Sequence, residues 1–303
     1  MLIASTMAKL LFAMAIGVFV KRIGLVGREG TQNMSGLVVN ITSPLLIVSS
    51  VANVNVTDKR LALYALVIGF VMYAILIVAS RVAAKVFRFP DQFSALYQVS
   101  FVFQNCLFMG VPVASSFLGP ESIFFITLLG MPYNVLFFSY GVLLLTGEKN
   151  QASTLNKFVN PGLIAAVIAL ILFFTGLRLP SAVNDTLAFV GALTTPLSMV
   201  GLGSMIGDFG LKSIFTDKGA YGVSVVRLLV IPLVTWLVLR KILSDPFLVA
   251  CAVIINAMPV GSVAAMVAAS VDGLEKKASV IVALTTLLSM GTIPVVALVT
   301  GIV

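Results

Sequence analysis

Histidine is absent from this sequence, and charge is scarce. Only 10% of the 303 residues are charged, whereas a soluble domain carries roughly 25%. The eleven carboxylates all fall in loops or at the ends of apolar segments, so the chain offers no catalytic pair and no metal-ligand cluster. Two cysteines, Cys106 and Cys251, do not make a disulfide framework. We therefore expect no enzyme, no metal site and no cofactor.

Long apolar runs take up most of the chain. Sixty per cent of the residues are hydrophobic, and about 20 apolar residues are enough to cross a bilayer as a helix. The connections are short, and the longest polar one runs from Gly147 to Lys157. The sequence predicts an all-α integral membrane protein with ten transmembrane helices, at about 4–20, 34–54, 61–80, 94–118, 122–145, 159–176, 183–207, 220–239, 246–270 and 277–300.

The basic residues lie mainly in the connections between these segments. The net charge is +8, but the cations are scattered singly or in twos and threes, which argues against a nucleic-acid partner. Twelve of them follow odd-numbered segments and six lie on the opposite side. Because positively charged loops stay in the cytoplasm, we expect a multi-pass protein of the cell (inner) membrane with both termini outside the cytoplasm.

Two of the apolar segments are interrupted. In the first, Asn105 is followed by Gly110 and Pro112, and a proline removes a backbone donor from a helix, so we expect that helix to open near Gly110–Pro112. The second interruption runs from Asn256 to Gly261 and contains Pro259. Broken helices at comparable places in two half-chains are typical of a transporter's substrate site.

Short motifs recur at a nearly constant offset. Residues 42–44 (Thr-Ser-Pro) resemble residues 194–196 (Thr-Thr-Pro) 152 positions later, and Asn105 precedes Asn256 by 151. We infer two five-helix repeats, 1–148 and 149–303, the second inverted because five is an odd number. Pro112 and Pro259 are only 147 positions apart, which is less than the common offset. The second break is therefore allowed to lie one helical turn away from Pro259.

Both interruptions have a chemical use. A half-helix begins with unpaired N–H groups and a partial positive charge, which suits an anionic group such as a carboxylate. The candidate substrate-binding residues are Asn105, Gly110, Pro112, Asn134, Asn256, Pro259 and Gly261. Secondary candidates are Asn40, Ser43, Tyr133, Thr195 and Arg227. The alternative explanation is that the prolines kink ordinary packed helices and the asparagines bond across helices.

Arg227 is the only basic or acidic residue well inside a predicted segment. It follows Gly219 by eight positions, about 12 Å along a helix. Two interpretations are open: its side chain snorkels to the cytoplasmic interface, or it attracts an anion into a cavity. Without a deep carboxylate a proton relay is disfavoured. Coupling to H+ or Na+ would use backbone carbonyls or segment-end carboxylates, or transport is uncoupled.

The residues of the interrupted segments resemble a known family. Asn105, followed by Gly110-Val111-Pro112 and Gly119, resembles the fourth-span motif of the auxin efflux carrier family. Ala257-Met258-Pro259, and the stretch from Ser289 to Pro294, resemble the ninth and tenth spans of that family. The resemblance covers essentially the whole chain. The family includes plant PIN-FORMED carriers and bacterial malate or malonate permeases.

The resemblance implies a ten-span carrier in which helices four and nine are broken and cross. Spans 1, 2, 6 and 7 would form a scaffold that is often dimeric, which implies a homodimer here. Spans 3–5 and 8–10 would form a moving transport domain. Asn105 would bind the substrate carboxylate, and Asn134 with residues 256–261 would complete the pocket. The short 147–157 loop resembles the bacterial members rather than the long-loop plant carriers.

Together these features predict a secondary transporter for small organic anions that works in the lipid bilayer by elevator-type alternating access. The expected substrates are carboxylates such as malate, malonate or auxin-like acids. One alternative is a sodium-coupled carrier like the bile-acid symporters, whose acidic sodium-site residues have no evident match here. A passive anion channel is another alternative. Flux measurements distinguish the two, because saturable exchange indicates a carrier and large unitary currents indicate a channel.

Overall fold

A computed structural model describes residues 2–51, 59–147, 161–207, 215–268, 271 and 273–302. Within these ranges the chain is helical and forms no β-strand. The helices of the first half are α1 (Leu2–Arg22), α2 (Arg28–Leu37), α3 (Ser43–Ser50), α4 (Lys59–Val86), α5 (Asp91–Val102), α6 (Val111–Leu118), α7 (Ser122–Leu136) and α8 (Val142–Thr146).

The second half repeats this mixture of long and interrupted helices. Its helices are α9 (Pro161–Thr175), α10 (Ser181–Gly191), α11 (Thr194–Gly207), α12 (Lys218–Val225), α13 (Ile231–Ile242), α14 (Pro246–Asn256), α15 (Ser262–Ala268) and α16 (Glu275–Val299). Short π-helical turns join α2 to α3, α7 to α8 and α12 to α13 into longer rods.

Five helical stretches of the described chain are long and apolar enough to cross a membrane. They are Glu29–Ser50, Lys59–Val86, Ser181–Ser204, Lys218–Ile242 and Lys276–Val299. Shorter apolar helices include Ser122–Tyr133, Ile164–Thr175 and Pro246–Asn256. The all-helical fold class is therefore confirmed, with five candidate membrane spans in the described chain, and the ten-span inverted repeat stays a prediction.

The helices pack in two sets of contacts. In one set, α1 lies along α11, and α3 packs against α9 and α10. In the other, α4 packs against α5 and α7, α13 against α14, and α12 against α16.

Glycines allow α1 and α11 to approach closely. A Cβ atom at Gly17 would collide with the carbonyl of Val200, and one at Gly203 would collide with the carbonyl of Met14. Small residues at such a seam let helix backbones pack tightly inside a membrane. Hydroxyl pairs add to this set, since Thr31 and Ser204 lie 2.7 Å apart.

Three prolines follow a widened helical turn instead of ending a helix. Pro44, Pro112 and Pro232 each stand in the first turn of an α-helix that a π-helical turn precedes. A proline lacks the N–H that a regular helix would bond, and the wider turn absorbs this defect. The prediction that the helix opens near Gly110–Pro112 is therefore wrong: the chain is helical from Cys106 onward.

The actual interruptions lie between α5 and Cys106, and between α14 and α15. The first comprises Phe103 to Asn105, and the second comprises Ala257 to Gly261. The second agrees with the predicted interruption at 256–261, and Pro259 lies inside it rather than a turn away.

Candidate functional site

The two interrupted segments cross and pair with each other. The N–H of Asn105 donates to the carbonyl of Pro259 at 2.8 Å, and the N–H of Gly261 donates to the carbonyl of Phe103 at 3.0 Å. Gln104 and Val260 face each other in an antiparallel bridge. Each break thus satisfies backbone groups of the other, which removes the main penalty for extended chain at membrane depth. We call residues 103–105 and 257–261 the crossover.

Four helix ends meet at the crossover. The ends of α5 and α14 bring carbonyl groups, and the half-helices that begin at Cys106 and Ser262 bring N–H groups. Helix ends carry partial charges, negative at the carbonyl end and positive at the N–H end. The crossover therefore combines carbonyl groups that attract a cation with N–H groups that attract an anion.

The side chain of Arg227 occupies the carbonyl side of the crossover. It is fully buried, with 0% of its surface exposed. Its Nε donates to the carbonyl of Met258 at 3.1 Å, and its Nη1 donates to the carbonyl of Phe101 at 2.9 Å. The guanidinium thus bridges the two broken helices, and the interpretation that Arg227 snorkels to the interface is wrong.

The guanidinium brings a permanent positive charge to the crossover. Its Nη2 has no hydrogen-bond partner among the described protein atoms. The one ion pair between described side chains is Lys277–Asp217, at the start of α12 and α16. No group of three or more acidic, cysteine or histidine side chains that could hold a metal occurs in the described part of the chain. Charge at the crossover is therefore positive.

Glycine and tyrosine complete the crossover. A Cβ atom at Gly261 would lie 3.1 Å from the Tyr133 hydroxyl and 3.2 Å from the carbonyl of Gln104, so this position has little room for a side chain. The Tyr133 ring packs edge-on against Phe103, with centroids 5.5 Å apart. Gly110 donates its N–H to the carbonyl of Asn105 at 3.0 Å. Asn105, Gly110, Tyr133, Pro259 and Gly261 thus lie together.

Asn256 and Pro112, two other predicted site residues, lie outside the crossover segments. Asn256 ends α14 and donates to the Thr235 hydroxyl at 3.2 Å and to the Met72 sulfur at 2.6 Å. The two asparagines are therefore not structural equivalents, since Asn105 lies inside a break. Pro112 is buried in the first turn of α6. The Asn134 side chain lies outside the part of the structure that is described.

Three secondary candidates, Asn40, Ser43 and Thr195, lie outside the crossover segments. Asn40 is exposed, and its amide donates to the carbonyl of Gly36 at 2.9 Å. Ser43 is fully buried in the first turn of α3. The carbonyl of Thr195 accepts a hydrogen bond from Ser198 at 3.0 Å. No described contact joins any of them to residues of the crossover.

Two polar side chains of this region did not appear among the sequence candidates. Gln104 is fully buried in the crossover, and neither its amide nitrogen nor its amide oxygen has a hydrogen-bond partner among the described atoms. The Ser262 hydroxyl, at the start of α15, is also buried without a partner. A buried amide in an apolar run is a signal that sequence reading can use, because such a group needs partners that a helix does not supply.

A cavity of about 60 Å³ lies beside the first break. It is bounded on one side by residues of the broken helix and of α7, namely Cys106, Val111, Ile126, Thr127, Gly130 and Met131. On the other side it is bounded by Ile47 of α3 and by Gly162 and Ala166 of α9. The cavity therefore lies between the two sets of packed helices.

A larger cavity of about 410 Å³ lies at the C-terminal end of α9. Its charged residues are Lys59, Arg178 and Asp185. The ammonium group of Lys59 donates to the carbonyl of Phe174 at 2.5 Å, so α4 is joined to the end of α9 there. None of its lining residues belongs to the crossover or adjoins it in the chain, whereas the smaller cavity is lined by Cys106, which directly follows Asn105. The smaller cavity is therefore the better candidate for a ligand at the breaks.

Apolar helices and two crossed breaks are features of a multi-pass membrane transporter. The family described as membrane transport protein matches residues 2–297. The chain belongs to this family, which is auxin efflux carrier-like, and the resemblance drawn from the Asn105 and Pro259 motifs is confirmed. An uncharacterized transporter of Methanocaldococcus jannaschii is 27% identical over 214 residues, which are 67% of this chain and 68% of that protein.

Proposed function

We propose that this chain is a secondary carrier for small organic anions, carboxylates above all, that works by elevator-type alternating access. The observation that carries the proposal is the crossover, where the breaks at 103–105 and 257–261 pair through their backbones. Such paired breaks leave N–H groups of a half-helix directed at a midplane site, which is how many secondary carriers hold an anion.

The positive charge at the crossover favours an anionic substrate. Arg227 is buried there with its guanidinium on the carbonyls of Phe101 and Met258. Those carbonyls are the groups to which a coupling cation would bind, and the guanidinium already occupies them as hydrogen-bond acceptors. We therefore favour a carrier without sodium coupling over one that resembles the bile-acid symporters.

The two sets of helices suggest which parts move. We propose that α1–α3 and α9–α11 form the scaffold, and that α4–α8 and α12–α16 form the transport domain. The cavity beside Cys106 supports this division, because residues of both sets bound it. Sliding of one set past the other would open such a cavity to one side of the membrane and then to the other.

An inverted repeat would explain the crossover. Thr42 and Thr194, which the repeat relates at an offset of 152, are joined by a 3.0 Å hydroxyl hydrogen bond. Contact between related residues is expected where a pseudo-twofold axis passes between them. The same axis would relate the packing of α1 on α11 to that of α9 on α3. We propose two repeats, 1–148 and 149–303, with ten spans, both termini outside the cytoplasm and a homodimer formed through the scaffold.

Binding to the purified protein tests this function. The folded protein should be stabilised against heat by at least one small carboxylate, since a ligand that binds only the folded state raises its apparent stability. A Gly261→Val variant should lose that stabilisation, because a side chain there meets the Tyr133 hydroxyl and the Gln104 carbonyl. Gly222→Val, at a position with open space around it, is the control. Equal carboxylate stabilisation of both variants would contradict the proposed site.

A further inference from the structure

The lining of the cavity beside Cys106 is mainly apolar. Its side chains are mostly aliphatic, and Cys106 and Thr127 supply its only polar side-chain atoms. The Thr127 hydroxyl already donates its single hydrogen to the carbonyl of Ile123 at 2.7 Å, so it can only accept from a ligand. A thiol is a weak donor. The cavity therefore provides no lysine, arginine or amide side chain that could bind a carboxylate within it.

The cavity is also small. Because one water needs about 10–15 Å³ of such space, a cavity of about 60 Å³ holds on the order of four to six water-sized groups. A ligand with about four to six non-hydrogen atoms fills it. Malonate, malate and auxin-like acids are larger than this.

The geometry points to a monocarboxylate with a short alkyl chain, in the size range from acetate to butyrate, as the substrate class of this site. This inference rests on the proposed function. The carboxylate would lie at the crossover end, toward the half-helix that begins at Cys106. The alkyl chain would lie against Ile126, Met131 and Ala166.

The cavity should bind dicarboxylates poorly, because their second carboxylate would have no partner there. An ionised group that enters an apolar cavity without a partner loses its hydration and gains no compensating hydrogen bond. The aliphatic wall formed by Ile47, Val111 and Ile126 provides no such partner. Selection against a second charge is therefore expected to be stronger than selection by chain length, because one methylene group in a hydrophobic pocket changes affinity only about 10- to 200-fold.

The wall residues should set the chain length that the carrier prefers. Met131→Ala removes side-chain volume from the α7 side of the cavity and should move the preferred substrate toward hexanoate. Ala166→Leu adds volume from the α9 side and should move it toward acetate. Val135→Ala and Val167→Leu are the matched controls, because both valines are exposed on the outside of the same two helices.

The test uses full-length protein in proteoliposomes, with protein-free liposomes as the blank. Acetate, propionate, butyrate, hexanoate, malonate and malate are each labelled in turn, and the other acids are added unlabelled as competitors. We expect a short monocarboxylate to compete at least ten times better than malonate or malate, and Met131→Ala to raise the relative strength of hexanoate several-fold.

The outcomes separate this inference from the function on which it rests. Preferential transport of malonate or malate would overturn the monocarboxylate inference and leave the carrier intact. An unchanged chain-length profile in Met131→Ala would overturn the assignment of the cavity. If the wild-type protein transports none of these acids, the proposed function itself fails.

Discussion

The backbone N–H of Asn105 donates to the carbonyl of Pro259 at 2.8 Å, although the two residues are 154 positions apart in the chain. This bond and its partner from Gly261 to Phe103 close two helix breaks against each other. Neither break would be stable alone in a bilayer, because its free backbone groups would have no water to bond. The two halves of the chain therefore depend on each other at the crossover.

Removal of the Arg227 guanidinium should destabilise the crossover. In Arg227→Met, the carbonyls of Phe101 and Met258 lose their donors in a fully buried place, which we expect to lower the free energy of unfolding by about 2 kcal/mol or more. Arg227→Lys should recover part of this loss, since lysine keeps the charge but not the planar fork. Thermal unfolding in detergent measures the effect.

Arg240→Met is the matched control for that comparison. The Arg240 guanidinium lies on the exposed face of α13, 4.0 Å from the Trp236 ring centroid. Equal unfolding temperatures for Arg227→Met and Arg240→Met would contradict the role given to Arg227.

The glycine seam between α1 and α11 should tolerate no added methyl group at Gly203. A Cβ atom there collides with the carbonyl of Met14, and such overpacking typically costs about 1–3 kcal/mol. Gly201→Ala, two residues away on the same helix, has open space and should be neutral or slightly stabilising. Urea or thermal unfolding of the two variants in one detergent measures the difference. Equal stability of the two variants would show that α1 and α11 do not approach each other as closely as the collision at Gly203 requires.

The sequence predicts the position of one helix break correctly and that of the other incorrectly. The prediction at 256–261 is in the right place because Pro259 itself lies in the break. The other prediction failed because its proline only widens a turn, and the true break at 103–105 is fixed by pairing with distant residues. The position of Arg227 could not be predicted for the same reason. The hydrogen-bond partners of its side chain lie 126 and 31 positions away in the chain, whereas the snorkelling interpretation considered only its place within one apolar segment.

The ion pair at the start of α12 and α16 should make stability depend on pH. Burial alone raises the pKa of Asp217, but hydrogen bonds from Lys277 and from the N–H of Ala220 outweigh it and lower this pKa below its usual 3.8. A carboxyl group with a lowered pKa stabilises the fold above the pKa of its unfolded form, and this contribution is lost as the pH falls through the folded pKa.

The Asp217→Asn variant isolates this charge, because asparagine caps a helix about as well as aspartate. The wild type should be more stable than Asp217→Asn at neutral pH, and the difference should shrink below about pH 4. Lys277→Met should remove most of the same pH dependence. A difference that stays constant from pH 7 to pH 3.5 would argue that the pair contributes nothing.

The thiol of Cys106 provides a natural probe of the cavity. Cys251 is fully buried, so a Cys251→Ala protein carries one partly exposed thiol, which lines the cavity. We expect a transported anion at saturating concentration to slow labelling of Cys106 by small thiol reagents several-fold. A cysteine at Ser244, an exposed loop position, in a protein without Cys106 and Cys251 is the control and should react at an unchanged rate. Equal labelling rates at Cys106 with and without the anion would show that the anion does not bind in this cavity.

Countertransport tests the central claim most directly. Proteoliposomes are loaded with an unlabelled short carboxylate, and the initial uptake of the labelled acid is compared with that of empty vesicles. A carrier whose crossover alternates between the two sides should take up label faster into loaded vesicles, with saturation as the outside concentration rises. After uptake into protein-free liposomes is subtracted, uptake that increases linearly with concentration and does not depend on the acid inside would contradict the account and indicate a channel.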